Sequence, residues 1–188
     1  MAYQKHPTEI PDVWVLQPQV FGDSRGFFLE SFNQRDFHQV TGLNLQFVQD
    51  NHSRSAKGVL RGLHFQVEKP QGKLVRVVQG AVLDVAVDLR SGSATLGRHV
   101  ARVLSAENQA QMWIPPGFAH GFLVLSDSAD FLYKTTEYWQ PEFERSLAWD
   151  DPDLNIDWRL AEYQIDRPIL AAKDAVAGSW KAHLNQMG

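Results

Sequence analysis

The sequence predicts a mainly β fold: a sandwich or barrel of many short strands, with few short helices. Three observations carry that expectation. The first is period-two alternation, clearest over residues 77–93, VVQGAVLDVAVDLRSGS. There Leu83, Val85, Val87 and Leu89 fall on one face and Val82, Asp84, Ala86 and Asp88 on the other. The second is a series of short β-rich runs: KLVRVV (73–78), HVARVLS (99–105), QMWIP (111–115), GFLVLS (121–126) and DFLYKTTEYW (130–139). Gly80, Gly92, Gly97, Pro115-Pro116-Gly117 and Asp127-Ser128 separate them, and evenly spaced short strands mean a sandwich or barrel. The third is the scarcity of helical periodicity.

In chain order, the first helix signal is Asn33 to Val40, one turn or two. The β-rich runs named above begin at Lys73. The tail, residues 173–187, is expected to be a C-terminal helix with Asp174 early in it. At 188 residues the chain is expected to be one domain, 1–188, with a short helical tail from about 173. Nothing repetitive or linker-like interrupts residues 10–160.

Composition narrows the function classes. Lys and Arg number 18 against 22 Asp and Glu, a formal net charge of −4. That excludes the broad basic field of a non-specific nucleic-acid binder but leaves room for a local cationic pocket. No apolar run approaches the roughly 20 residues that span a bilayer. The start, MAYQKHPTEIPDVW, lacks a basic-then-apolar signal pattern. There is no cysteine, hence no disulfide, thiolate nucleophile or thiolate metal site. The expectation is a soluble cytoplasmic domain with neither nucleic-acid nor membrane partners.

Motif spacing refines the fold. PPGFAHGF (115–122) has the Pro-x-Gly-x-x-His spacing found in cupin jelly rolls. GVLRGLHFQ (58–66), followed by KLVRVVQG (73–80), matches the other half. The expected fold is therefore a cupin-type double-stranded jelly-roll sandwich. In metal-binding cupins the first half reads His-x-His, followed by a Glu seven residues before a turn glycine. Here those two positions hold Gln66 and Lys73. A lysine ammonium donates hydrogen bonds and repels a cation. Only His64 and His120 are left of the donor set, so no metal and no other cofactor is expected.

Several segments carry more chemistry than a plain β-core needs. DSRGFFLE (23–30) holds Arg25 and Glu30 around aromatics. FVQDNHSRS (47–55) is polar, with no helix or strand requirement for it. LRGLHFQ holds Arg61 and His64, QGKL holds Lys73, and FLYKTTEYW holds Tyr133, Tyr138 and Trp139. Singly, each has an ordinary explanation. Arg25, Arg61 and Lys73 are surface charges, and His64 is a structural histidine. Tyr133 is a core ring with its hydroxyl at the rim, Tyr138 and Trp139 cap a sheet edge, and Gln49-Asp50-Asn51 is a turn. The joint pattern is what those explanations miss.

Together these segments, with DVAVDLR, SAENQAQMWIPPGFAHGF and WDDPDLNIDW, closely resemble the dTDP-4-dehydrorhamnose 3,5-epimerase family, dTDP-sugar epimerases of the cupin class. The resemblance runs almost continuously over residues 10–160, with the motifs in the family's order. It implies His64 as general base, Tyr133 as general acid and Lys73 beside the sugar C4 oxygen. It implies that Arg25, Glu30, Gln49, Asp50, Asn51, Arg61, His120 and Glu144 line the nucleotide-sugar site. Tyr138 or Trp139 would stack on thymine. It places Lys173 in the site and makes Asp174 the orienting carboxylate of His64; Asp84, on an inward-parity position, is a second candidate for that partner. It also implies a strand-exchanged homodimer in which Arg25 and Glu30 reach the partner subunit's pocket. The chain departs from the family at Trp139, where Tyr is usual, at Ser146-Leu147, and at Ala171 in a longer tail.

The implied chemistry fits the residue types. The substrate would be a dTDP-4-keto-6-deoxysugar, whose C3 and C5 hydrogens are acidic because each adjoins the C4 carbonyl. A histidine suits their removal, and a carboxylate behind it fixes the tautomer. A lysine in a dry pocket stabilises the enolate oxygen, and arginines suit the diphosphate. The implied product is dTDP-4-dehydro-L-rhamnose, for bacterial surface polysaccharide. Three alternatives are an epimerase acting at C3 or C5 only, a metal-dependent cupin, and a non-catalytic sugar-nucleotide binding module. Lys73 argues against the second; the third leaves His64, Lys73 and Tyr133 without a joint role. One local expectation follows from parity alone. Arg61 and His64 fall on opposite faces of a regular strand, so a shared pocket requires a bulge between them, at Gly62.

Overall fold

The computed structural model describes residues 3–187. The strands in chain order are β1 (Tyr3–Pro7), β2 (Trp14–Pro18), β3 (Val20–Asp23), β4 (Gly26–Leu29), β5 (Gln49–Ala56), β6 (Leu60–Gln66), β7 (Lys73–Gln79), β8 (Ala81–Asp88), β9 (His99–Ser105), β10 (Gln111–Ile114), β11 (Phe118–Val124), β12 (Ser128–Thr135) and β13 (Glu144–Ser146). The helices are α1 (Gln34–Thr41), α2 (Ala172–Ala175) and α3 (Trp180–Met187). A six-stranded sheet in the order β1-β2-β10-β7-β12-β5 faces a five-stranded sheet in the order β13-β6-β11-β8-β9, and β3-β4 form a separate hairpin. The fold is the expected mainly β, cupin-type sandwich with few short helices.

Alternation sets the layers. Val82 and Ala86 of β8 point between the sheets, where they meet Val75, Val77, Met112, Ile114, Phe122 and Phe131. Leu83, Val85 and Val87, on the opposite face, are buried beneath Leu154, Trp158, Ile165 and Trp180 of the C-terminal segment. β8 is therefore buried on both faces, which is why its run is apolar at nearly every position. A third cluster covers the outside of the larger sheet. There Phe37 of α1 packs on Leu16, Leu74 and Trp113. α1 starts where Asn33 accepts hydrogen bonds from the Arg35 and Asp36 amides. It ends at Gly42, in the left-handed region at φ 76°, whose amide returns to His38 O.

The structure corrects the sequence reading in three places. FVQDNHSRS contains a strand after all: β5 pairs with β12 along its whole length. Its inward residues, Gln49, Asn51 and Ser53, line a polar cavity rather than the apolar core, so no hydrophobic alternation marks it. The tail is two helices, not one. Between them Gly178 bonds β13 and its flank, with Gly178 N donating to Ser146 O and Ala148 N to Gly178 O, which interrupts any continuous helix. The run 130–139 also ends as a strand at Thr135. Beyond it Gln66 and Gln71 hold the loop backbone, donating to Tyr138 O and Glu137 O.

Candidate active site

The cavity lies between the sheets where β6, β7, β11 and β12 converge. It measures about 530 Å³ and is lined by His64, Lys73, His120, Tyr133, Arg61, Asn51, Gln49, Trp139, Glu144, Lys173 and Asp174, among others. That volume suits a small ligand.

The sequence brings Arg61 and His64 together by breaking β6. His120 pairs with His64 and Phe122 with Arg61, so two steps along β11 match three along β6. The extra residue is accommodated at Gly62, φ 128°, and the Gly62–Leu63 peptide is cis. A Cβ on Gly62 would sit 2.5 Å from Gly121 Cα and 2.8 Å from His120 O, so only glycine fits. Arg61 then lies at the cavity mouth, with its Nε donating to Ser55 Oγ at 3.0 Å.

His64 is oriented from the far end of the chain. The main chain of residues 58–60 bonds to Ile169, with Ile169 N donating to Gly58 O and Leu60 N to Ile169 O. This clamp sets down α2, whose Asp174 meets His64 Nε2 through Oδ1 at 2.6 Å. The Asp174 side chain is 1 % exposed and the His64 side chain 22 %. With Nε2 engaged by the carboxylate, Nδ1 is the ring nitrogen with no hydrogen-bond partner among the described residues. Of the two carboxylates, Asp174 is the one that meets His64, and Asp84 pairs instead with His120 Nε2, at 2.9 and 3.1 Å.

Lys73 starts β7 and is 8 % exposed. Burial pushes its ammonium down to about 8, against the attraction of Asp84 and Glu144 and with a further push down from Lys173. The sign matters for stability. Below about pH 8 the folded chain keeps a charge that burial opposes, and that cost fades as pH rises to where a free lysine also deprotonates. Tyr133, on β12, is raised above its ordinary value, first by burial and then by Glu144, with Arg61 opposing; at neutral pH it is a phenol that holds its proton. His120 is pushed below the usual histidine value by burial, despite Asp84. Phe131 stacks against its ring, with centroids 5.9 Å apart.

The rim is a connected polar chain. Trp139 Nε1 donates to Glu144 Oε1 at 3.1 Å, and Lys173 Nζ donates to Glu144 Oε2 at 2.6 Å. Burial pushes the Glu144 carboxyl up, and the bonds from Lys173 and Trp139 more than offset it, leaving the group below the usual range. Gln49 accepts from the Trp139 amide and donates to Asn51 Oδ1. Asn51 Nδ2 is buried with no hydrogen-bond partner among the described residues. Such an orphan costs about 1–3 kcal/mol, which a ligand acceptor would recover.

The residues do not fit the metal of metal-binding cupins. Lys73 stands in the cavity at the position of the Glu. Gln66 is committed to the 138–140 loop, donating to Tyr138 O and accepting from the Gln140 amide.

Four candidates lie outside the cavity. Asp50 follows its strand's alternation to the outer face, where it pairs with Lys134 at 2.8 Å; the expectation that it lines this site is corrected on that ground. Tyr138 is 58 % exposed and does not line the cavity, whereas Trp139 does, so of the two aromatics Trp139 is the one placed to meet a ligand. Arg25 and Glu30 sit at the tip and the foot of the β3–β4 hairpin; Arg25 is paired with Asp23, and Glu30 accepts from Asn33 Nδ2. Sequence reasoning missed Phe131, which braces His120, and Gln71 in the lining. Phe131 shares inward parity with Tyr133 on β12, which was the available signal.

The family profile of dTDP-4-dehydrorhamnose 3,5-epimerase matches residues 7–182. The dTDP-4-dehydrorhamnose 3,5-epimerase of Pseudomonas aeruginosa is 62 % identical over 165 residues, covering 88 % of this chain and 89 % of the relative. The crystal structure of a Legionella pneumophila dTDP-6-deoxy-D-glucose-3,5-epimerase with dTDP-4-keto-L-rhamnose superimposes with a TM-score of 0.90 at 50 % identity, covering 94 % of this chain and 92 % of that one. A 3'-monoepimerase from Streptomyces bikiniensis, solved with dTDP-quinovose, gives a TM-score of 0.87 at 34 % identity over 97 % of this chain and 90 % of that one.

Proposed function

The chain belongs to the dTDP-4-dehydrorhamnose 3,5-epimerase family of enzymes, and on that premise we propose that it inverts C3 and C5 of dTDP-4-dehydro-6-deoxy-D-glucose to give dTDP-4-dehydro-L-rhamnose. The observation that carries the proposal is one cavity in which a carboxylate-backed histidine, a buried lysine and a proton-bearing tyrosine converge.

In a gluco-configured ring the C3 and C5 hydrogens are axial on the same face, so one base can take both in turn. His64 does so through Nδ1, and Asp174 stabilises the imidazolium that forms. Each removal moves an electron pair from a C–H bond into the enolate, whose charge gathers on O4. Lys73 meets that oxygen in a pocket with little water, where a fixed charge counts most. Tyr133 gives its proton to the opposite face of the carbon and completes the inversion. After each inversion both groups regain their starting protonation through solvent.

Arg61 is held at the mouth by Ser55 and makes no ion pair among the described residues, which leaves its charge for the diphosphate. Trp139, fixed by Glu144 and Gln49, offers its ring face to the thymine. Asn51, His120 and Lys173 complete the sugar-nucleotide contacts.

The same proposal includes a strand-exchanged homodimer. The β3–β4 hairpin pairs only with itself among the described residues and exposes Phe21, Phe27 and Phe28 by 55, 63 and 66 %. Three exposed phenylalanines on one short hairpin need a partner surface. A second copy whose pocket receives Arg25 and Glu30 supplies one. The whole chain then works as one catalytic domain in the cytoplasm, where nucleoside-diphosphate sugars are assembled, in the route to dTDP-L-rhamnose.

Proton NMR of the product formed from dTDP-4-dehydro-6-deoxy-D-glucose tests the reading. The L-configured 4-keto sugar is expected. Inversion at C3 alone would make the protein a monoepimerase like the Streptomyces neighbour, and the absence of any inversion would remove the assignment.

A further inference from the structure

Trp139 lines the cavity from a loop, 136–143, that contains neither helix nor strand. Its side chain is 51 % exposed, so packing alone does not fix it. No main-chain to main-chain hydrogen bond among the described residues reaches Tyr138 or Trp139. Side chains hold this stretch instead. The Trp139 amide donates to Gln49 Oε1 at 3.0 Å, and the indole Nε1 donates to Glu144 Oε1 at 3.1 Å. One residue earlier still, Glu137 O accepts from Gln71 Nε2 at 2.9 Å.

Gln66 grips the chain on both sides of Trp139. Its Nε2 donates to Tyr138 O at 3.3 Å, and its Oε1 accepts from the Gln140 amide at 2.8 Å. The second Nε2 hydrogen goes to Lys69 O at 2.9 Å. This grip takes two donors and one acceptor from one side chain, which a primary amide supplies. A neutral imidazole has one of each, and an ionised carboxylate has no donor. Gln66 is 6 % exposed and does not line the cavity, so it reaches a ligand there only through the loop. Its place on β6 is also telling. It follows His64 by two residues and shares its face. Across β13 it pairs with Glu144, the carboxylate that receives the Trp139 indole. The position that holds the second histidine ligand in metal-binding cupins here holds the loop.

We propose that Gln66 is a positioning residue for nucleobase recognition: its amide, bonded to the main chain on either side of Trp139, presents the indole face on which the thymine of the substrate stacks. This rests on the epimerase reading for the identity of the base, though not for the hold on the loop. Without Gln66, Tyr138 O and the Gln140 amide lose their partner, and the indole samples several orientations. A ligand must then order the ring as it binds, which costs affinity. The chemistry at the sugar is spared, because none of the Gln66 side-chain bonds goes to His64, Lys73 or Tyr133.

Gln66→Met tests this, because it keeps the length of the side chain and loses every bond. By calorimetry, the Kd for dTDP should rise about tenfold, and the Kd for inorganic pyrophosphate should stay within about twofold. KM for dTDP-4-dehydro-6-deoxy-D-glucose should rise about tenfold, with kcat within about threefold of the parent. An unchanged dTDP affinity, equal weakening of dTDP and pyrophosphate, or a fall in kcat at unchanged KM would each overturn the proposal. The cycle with Trp139→Ala is the sharper comparison. Without the ring, Gln66→Met should change dTDP affinity by less than about twofold. An undiminished tenfold loss there would mean that Gln66 acts elsewhere. If the parent binds no dTDP, the functional reading falls, and the clamp is still decided without a ligand. The Trp139 Nε1–H signal, identified by its loss in Trp139→Ala, should exchange with water about tenfold faster in Gln66→Met; an unchanged rate would refute the clamp. Should Gln66→Met not fold, Gln66→Asn keeps an amide there but falls one methylene short of the loop. The same loss of dTDP affinity is expected, and parent-like affinity would overturn the proposal.

Discussion

His64→Ala should lower turnover by about 10³-fold while dTDP still binds with near-normal affinity. The loss is large because no other group in the cavity can replace the base. Lys73 is a cation at neutral pH, and His120 is buried, which pushes it below the usual histidine value and makes it the weaker base. Binding survives because the groups assigned to the nucleotide, Arg61 and Trp139, are held by Ser55, Gln49 and Glu144 and not by His64. The alanine variant strands the buried Asp174 carboxylate, which can cost about 3–5 kcal/mol of stability. His64→Asn controls for this: its amide can still donate to Asp174 but cannot act as a base. Steady-state turnover and calorimetric dTDP binding on both variants check the prediction. Substantial turnover in either would take the base role from His64.

Tyr133→Phe should separate two events that the native enzyme couples. Removal of the C3 and C5 hydrogens by His64 remains, so hydrogens exchange with solvent on the original face. Delivery of a proton to the opposite face is lost, so product formation should fall about 10²–10³-fold while exchange persists. The substitution is clean, since the Tyr133 hydroxyl makes no hydrogen bond to the described residues and phenylalanine strands no partner. Phe131, tilted against the ring at 6.0 Å, packs as well on Phe as on Tyr. Deuterium uptake into unreacted substrate, compared with product yield, measures the ratio. Equal loss of both would mean that Tyr133 is not the specific acid.

The parts of this site legible in the sequence are those where a local rule binds. The alternation over 82–89 placed each β8 side chain on its correct face, because both faces are packed. The parity conflict between Arg61 and His64 located the bulge at Gly62, because glycine alone fits against Gly121. β5 escaped notice for the converse reason: a strand that lines a polar cavity from a sheet edge carries no apolar pattern. The same strand explains Asp50, which is one residue from Gln49 and Asn51 in sequence and on the opposite face in space. From the residues alone, which carboxylate stands behind which histidine was not legible; the resemblance implied Asp174 behind His64, with Asp84 as the second candidate. The partners His64 and Asp174 are 110 residues apart, joined by a main-chain clamp at Ile169 that has no sequence signature. Family resemblance named the residues; the pairing of Asp84 with His120 comes only from their arrangement.

The central claim is that this one cavity forms an enolate toward both C3 and C5. Incubation with dTDP-4-dehydro-6-deoxy-D-glucose in D2O, with deuterium located by NMR, tests it most directly. The account predicts deuterium at C3 and at C5 in an L-configured product. Deuterium at a single carbon would contradict double epimerisation. None at either carbon, with dTDP shown to bind, would contradict the enolate chemistry assigned to His64, Lys73 and Tyr133.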